Sequence, residues 1–100
     1  MIARIWNGKT NLEDEKAYEQ FMRERAVPDY SQTPGFVKLL FLKRTDDRFA
    51  YFELITFWKN VEVIKNFAGE DHEKAKYYPE DQNYLLEFPE KVIHFEVFAQ

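Results

Sequence analysis

The chain has no cysteine, which excludes a disulfide framework and any thiolate-based metal or redox centre. Long apolar runs are also missing. None approaches the roughly 18 residues that a membrane-spanning helix requires, and the N-terminus MIARIWNGK lacks the apolar stretch of a secretory signal. The expected location is therefore the cytoplasm, without membrane association. Basic residues are not in excess: 14 Lys and Arg against 18 Asp and Glu give a net charge of −4, which argues against a nucleic-acid-binding surface. The sequence contains no Gly-rich phosphate loop, no His-Glu metal helix and no Ser-His-Asp set. With only two, separated histidines, no bound metal is expected.

What is present in excess is aromatic. Ten Phe, six Tyr and two Trp occupy a chain long enough for a single domain, residues 1–100, with a modest core. So many rings require an aromatic core, a second covered surface or a lined pocket.

Three glycines and four prolines fall where elements are expected to change. Residues 2–7 (IARIWN) read as a strand that stops at Gly8. Thr10 and Glu13 form a capping-box pattern, with Asn11 as a competing cap. Beyond it Ala17, Tyr18, Phe21, Met22 and Ala26 recur at helical spacing, so a helix is predicted over residues 12 to about 27, where Pro28 disfavours its continuation, with room for a resumed turn before Thr33-Pro34-Gly35 breaks it. Residues 36–44 and 49–58 are strand-like and joined by a polar hairpin loop, Thr45-Asp46-Asp47-Arg48. Asn60 is expected to cap a short helix over 61–68, ended by Gly69. A turn or two of helix fits 71–77, and 92–98 reads as the last strand. The order β-α-β-β-α-β is that of a ferredoxin-like sandwich, an α+β fold with one four-stranded antiparallel sheet and both helices on one face.

Alternation along the strands sorts their side chains into two sets. Ala3, Ile5, Asn7, Val37, Leu39, Phe41, Phe52, Leu54, Thr56, Trp58, Ile93, Phe95 and Val97 form the more apolar set, assigned to the face under the helices. The other set mixes Trp6, Phe36, Leu40, Leu42, Ile55, Phe57 and Phe98 with Arg4, Lys38, Glu53, His94 and Glu96. An apolar patch of that size marks an interface. The expectation is a two-fold homodimer through this second face, engaging Arg4, Trp6, Leu40, Glu53, Phe57, His94 and Glu96; the alternative is a monomer whose sheet stays exposed or is covered by a tail, for which the chain has little length to spare.

Asn7 and Trp58 interrupt the apolar set near strand ends, and two readings stay open. Each satisfies backbone or loop groups in an ordinary core, or both donate into a pocket walled by Phe21, Phe41, Phe52, Leu54 and Phe67. Tyr77 and Tyr78 either close the mouth of that pocket or pack as cover. His72, between Asp71 and Glu73, is either a general base or a solvated surface residue.

The segment Thr56-Phe57-Trp58-Lys59-Asn60 leading into the helix over 61–67, the Tyr77-Tyr78-Pro79-Glu80-Asp81 stretch and the closing strand over 92–97 resemble the antibiotic biosynthesis monooxygenase family. The resemblance covers essentially the whole chain. It implies a dimeric α+β barrel built by packing two such sheets. It also implies a small aromatic substrate, an anthrone or hydroquinone, held between sheet and helices and oxygenated without metal or flavin, with Asn7 and Trp58 as donors. Such a substrate, once deprotonated, passes an electron directly to O2; the protein need only desolvate it, orient it and hydrogen-bond the developing oxyanion. No cofactor is expected on this reading. A non-catalytic small-molecule binding or sensing protein on the same scaffold is the first alternative. Haem binding or degradation is the second. The resemblance implies that haem-degrading relatives use an Asn, a Trp and a haem-ligating His after the Trp; the corresponding positions here are Ala68 and Gly69, and His72 lies farther along.

Overall fold

A computed structural model describes residues 1–100. In chain order it contains β1 (Ile2–Asn11), α1 (Glu15–Phe21), α2 (Val27–Ser31), β2 (Phe36–Thr45), β3 (Phe49–Trp58), α3 (Val61–Ala68) and β4 (Ile93–Glu96). The strands form one antiparallel sheet in the order β2-β3-β1-β4. Its helices cover one face, the ferredoxin-like arrangement expected from the order of elements. None of the helices is long and apolar enough to cross a membrane.

The central strand β3 obeys simple alternation. Ala50, Phe52, Leu54, Thr56 and Trp58 are buried under the helices, and the residues between them are half-buried on the open face. Register then assigns the neighbouring strands. In β1, Arg4 lies opposite Thr56, Trp6 opposite Leu54 and Gly8 opposite Phe52. The helix-covered residues of β1 are therefore Arg4, Trp6, Gly8 and Thr10, not Ala3, Ile5 and Asn7 as the apolar set predicted. β4 inverts with it: His94 faces Arg4 and Glu96 faces Ile2, which leaves Ile93 and Phe95 on the open face, 59% and 55% exposed. In β2 a register shift between Phe36 and Lys38 turns Phe36 inward against Trp58 and Tyr30 and leaves Val37 exposed.

Arg4, Trp6, His94 and Glu96 thus leave the proposed interface, while Leu40, Glu53 and Phe57 stay on it. The physical reason is that both sheet faces are apolar, so the more apolar alternation in an outer strand does not identify the helix side. β1 also runs through Gly8 instead of ending there. The Trp6 indole lies over Gly8, in the space that any Cβ would occupy. Thr10 accordingly pairs with Ala50 inside the strand, and no capping box forms.

Between β1 and β2 the chain is helical from residue 12 to residue 31. A 3-10 turn at Leu12–Asp14 leads into α1, and a π turn at Met22–Ala26 connects α1 to α2. The π turn lets the helix pass Pro28. The Val27 N–H reaches back to the Met22 carbonyl, and this wider register relieves the clash of a proline ring with the carbonyl four residues earlier. Asn60 caps α3 as expected, its side-chain oxygen accepting from the Val63 N–H at 3.1 Å.

Residues 70–90 contain no helix over 71–77. They are irregular, with a 3-10 turn at Pro79–Asn83 and isolated bridges Lys74↔Lys91 and Thr10↔Leu85. This segment lays Ala75, Tyr78, Asp81 and Leu85 into the core, covering the helix-side face of β1.

Candidate functional site

A cleft opens between the first helical run and the β2–β3 half of the sheet. Met22 and Val27 wall it from the helical side, Leu39 and Phe41 from β2, and Phe52 and Leu54 from β3, enclosing about 250 Å³. Glu19, Arg23 and Lys43 line it with charge. Lys43 reaches the cleft because it shares the alternation of Leu39 and Phe41 and lies opposite Phe52. Its ammonium sits 2.6 Å from a carboxylate oxygen of Glu15 and 2.6 Å from one of Glu19, while Arg23 donates to the other Glu19 oxygen at 3.2 Å. Glu15 and then Glu19 hold the Lys43 pKa above its usual value, and Lys43 and then Arg23 hold Glu19 below the usual carboxylate range. These groups are solvent-accessible, so the ion pairs add little stability. What they fix is a charge pattern at the mouth of the cleft.

Beyond Met22, under β1, the same layer is filled by a buried polar cluster. Asp81, 3% exposed, accepts from the Tyr18 hydroxyl at 2.9 Å and from the Tyr78 N–H at 2.7 Å. The Tyr78 hydroxyl donates to Asp29 at 2.6 Å, and Lys76 donates to the same oxygen at 2.8 Å. Arg4, 2% exposed, donates to the carbonyls of His72 (2.9 Å) and Lys74 (3.0 Å). The Trp6 indole donates to the Tyr77 hydroxyl at 3.3 Å. Burial and then Asp81 raise the Tyr18 pKa, burial pushes Tyr30 up to about 12, and burial raises Asp81 despite the bonds it accepts. About 10 Å³ of free space remains among these groups, room for a single water at most.

The raised Asp81 has a measurable consequence. A carboxyl whose folded pKa exceeds its unfolded value contributes most stability below the unfolded pKa, and that contribution falls as pH rises through the folded pKa. Asp81→Asn abolishes the dependence. Losing one acceptor costs about 1–3 kcal/mol at any pH, so the test is the slope: the Tm of the variant should rise relative to wild type as the pH is raised above about 4, the unfolded Asp value. Parallel pH profiles for the two proteins would show that Asp81 is not shifted.

The structure brings some of the predicted site residues together and separates others. Phe41, Phe52 and Leu54 meet in the cleft. Phe21 packs away from it against Tyr18, Tyr78 and Tyr84. Phe67 stacks on Tyr30 with ring centres 4.2 Å apart. Trp58 is fully buried among Tyr30, Phe36 and Phe67, and its N–H donates to the Thr56 hydroxyl at 2.9 Å. Asn7 is exposed on the opposite sheet face, across from Glu53. Asn7 and Trp58 therefore do not converge. Tyr77 packs on Trp6 and Phe88, and Tyr78 is inside the polar cluster, so neither closes the cleft.

His72 sits beside His94 near the β4 edge, with ring centres 5.2 Å apart. Burial, then Arg4 and His72, push the His94 pKa down to about 4. The residues that sequence reasoning missed at the cleft are Met22, Val27 and Leu39 among the walls, and Glu19, Arg23 and Lys43 among the charges. For Lys43 a signal existed: a lysine in phase with Leu39 and Phe41, facing acids at helical spacing (Glu15 and Glu19).

No protein-family model matches the chain, and no curated protein matches its sequence. Among solved structures it is similar to the haem degrader MhuD from Mycobacterium tuberculosis with two haems bound in its active site. The TM-score is 0.66 at 19% identity, with 100% of this chain and 98% of that chain covered. It is also similar to an arginine-to-serine mutant of MhuD with two manganese protoporphyrin IX molecules bound per active site, at a TM-score of 0.63 and 16% identity, covering 100% and 97%. At these identities the likeness establishes a shared fold along the whole chain.

Proposed function

We propose that this protein binds a small aromatic molecule in the cleft between sheet and helices, as one half of a sheet-to-sheet dimer. The reaction it hosts on this reading is cofactor-free oxygenation of a phenol- or hydroquinone-type ligand. The observation that carries the reading is the cleft, about 250 Å³ walled by six apolar side chains and bordered by fixed charge. Drug-sized ligands typically take roughly 300–1,000 Å³, so this volume suits one or two rings. Lys43 and Arg23, already paired with Glu15 and Glu19, place N–H donors where a phenolic or carboxylate oxygen would sit at the outer end of the ligand, and the walls keep its rings from water. An ionised phenol held this way reduces O2 with its own electrons. It needs orientation, desolvation and charge stabilisation from the protein rather than a titrating base. The fold shared with a haem-degrading protein supports oxygen chemistry on this scaffold.

Binding without chemistry is separated from oxygenation by experiment. A panel of naphthols, hydroquinones and anthrones is titrated by fluorescence and then followed for O2 uptake in metal-free buffer. Leu39→Trp, which fills the cleft, should weaken binding at least about tenfold, and Lys43→Gln should weaken anionic ligands selectively. Binding without O2 uptake would leave a binding or sensing protein. No binding by any member would overturn the proposal.

Haem, which both solved neighbours hold as a metalloporphyrin, is the second reading. The cleft does not fit it as a His-ligated group. Its lining contains no histidine, and both histidines lie at the opposite edge of the sheet. A Soret band on haem titration, lost in His72→Ala, would replace the leading reading with this one.

A further inference from the structure

We infer that Met22 is the inner wall that limits the length of the ring system the cleft accepts. The inference deepens the reading of the cleft as a site for a small aromatic molecule and rests on it.

The cleft, of about 250 Å³, and the void inside the polar cluster, of about 10 Å³, have two lining residues in common, Met22 and Leu54. These two side chains form the partition between the spaces. Behind it the void is faced by Trp6, Tyr18, Tyr30 and Tyr78. Shortening the partition therefore extends the cleft inward, toward aromatic rings and away from solvent.

The two halves of the partition differ in kind. Leu54 belongs to the central strand β3, paired with Trp6 of β1 on one side and Phe41 of β2 on the other, so its place is set by the sheet. Met22 comes from the helical side, where the chain turns from α1 into the π turn. Its N–H donates to the Tyr18 and Glu19 carbonyls, and its own carbonyl accepts from the Val27 N–H. With the backbone held at both groups, the side chain is presented to the cleft from a fixed origin. A thioether in that place is more than a stop, because its polarisable sulfur makes favourable contacts with the edge of an aromatic ring. A ligand whose oxygen meets Lys43 and Arg23 at the mouth spends its length inward, and that length ends at Met22.

The test uses the full chain and three oxygen-stable carboxylates, benzoate, 2-naphthoate and anthracene-2-carboxylate, which carry the same charge and differ by one ring each. Affinities are measured by equilibrium dialysis. Wild type should prefer 2-naphthoate to anthracene-2-carboxylate. Met22→Ala should shift that ratio at least about tenfold toward the longer ligand. Met22→Phe, which thickens the wall, should shift the ratio of benzoate to 2-naphthoate toward benzoate. A side chain that only supported the fold would weaken all three ligands alike and leave both ratios in place. Should Met22→Ala fail to fold, Met22→Val removes less of the side chain, is expected to move the ratio with the same sign, and decides the matter together with Met22→Phe. Ratios within about twofold of wild type in the folded variants would overturn the role of Met22 and leave the cleft as a binding site. Failure of wild type to bind any of the three would overturn the reading of the cleft, and this inference with it.

Discussion

Arg4→Ala is expected to destabilise the protein by about 2–4 kcal/mol, a large share of the roughly 5–15 kcal/mol that holds a domain of this kind folded. The guanidinium is buried, without a carboxylate partner, and spans two carbonyls of the 70–90 segment. Removing it strands two acceptors at about 1–3 kcal/mol each, partly offset because a buried charge no longer has to be desolvated. For a chain of this length that is a fall of roughly 10–30 °C in Tm. The loss should be local first. Amide exchange over 71–91 should accelerate before the β2–β3 ladder is affected, because Arg4 and the Trp6–Tyr77 bond tie this segment to β1. Arg4→Lys should recover only part of the loss, since one ammonium does not reproduce the planar fork that serves both carbonyls. A Tm within a degree or two of wild type, or uniform acceleration of exchange, would show that Arg4 does not moor the segment.

Arg4 also marks the limit of what could be read from the sequence. The element order, the hairpin between β2 and β3, the Asn60 cap and the faces of β3 all follow from local chemistry: alternation, turn residues and an oxygen placed to bond an orphan N–H. The faces of β1 and β4 do not. With apolar side chains on both faces, the choice between Ala3-Ile5-Asn7 and Arg4-Trp6-Gly8 turns on partners far away in sequence. Carbonyls near position 73 accept from Arg4, and the Trp6 ring needs Gly8 beneath it and Tyr77 beside it.

The expected site inherited that inversion. Asn7 went to the open face, and the interior under β1 was taken by Tyr78 and Asp81, from a stretch with no periodicity to announce its burial. The cleft walls from β2 and β3 were legible because those strands kept the expected alternation past the bulge near Val37. The π turn was hidden for another reason. Pro28 ordinarily signals an end, and only the changed ladder from Met22 to Val27 lets the helix continue.

Ile55→Asp is expected to convert a dimer into a monomer. The corrected register removes three charged or titratable residues from the open face, because Arg4, His94 and Glu96 leave it together with Trp6, while Ile5, Ile93 and Phe95 join it together with Asn7. Ile55 is at its centre, opposite Ile5 on one side and Leu40 on the other. Around it Leu40, Leu42, Ile93 and Phe95 are each about half exposed or more, a contiguous patch of the kind that marks a protein interface. In the proposed dimer a second copy covers it by two-fold symmetry, with the same residues on both sides. An unpaired carboxylate at the centre of that contact must be desolvated, at a cost of several kcal/mol, so the dimer Kd should rise at least about 100-fold. Within one subunit Ile55 is only half-buried, and a charge there still reaches water, so the monomer should stay folded. Light scattering should report twice the 12.1 kDa chain mass for wild type at micromolar concentration and a folded species of single mass for the variant. Wild-type protein at the single mass would refute the interface. A variant that unfolds would instead show that Ile55 supports the fold of the subunit, and Leu40→Asp, at the exposed β2 edge of the same patch, would then decide the matter.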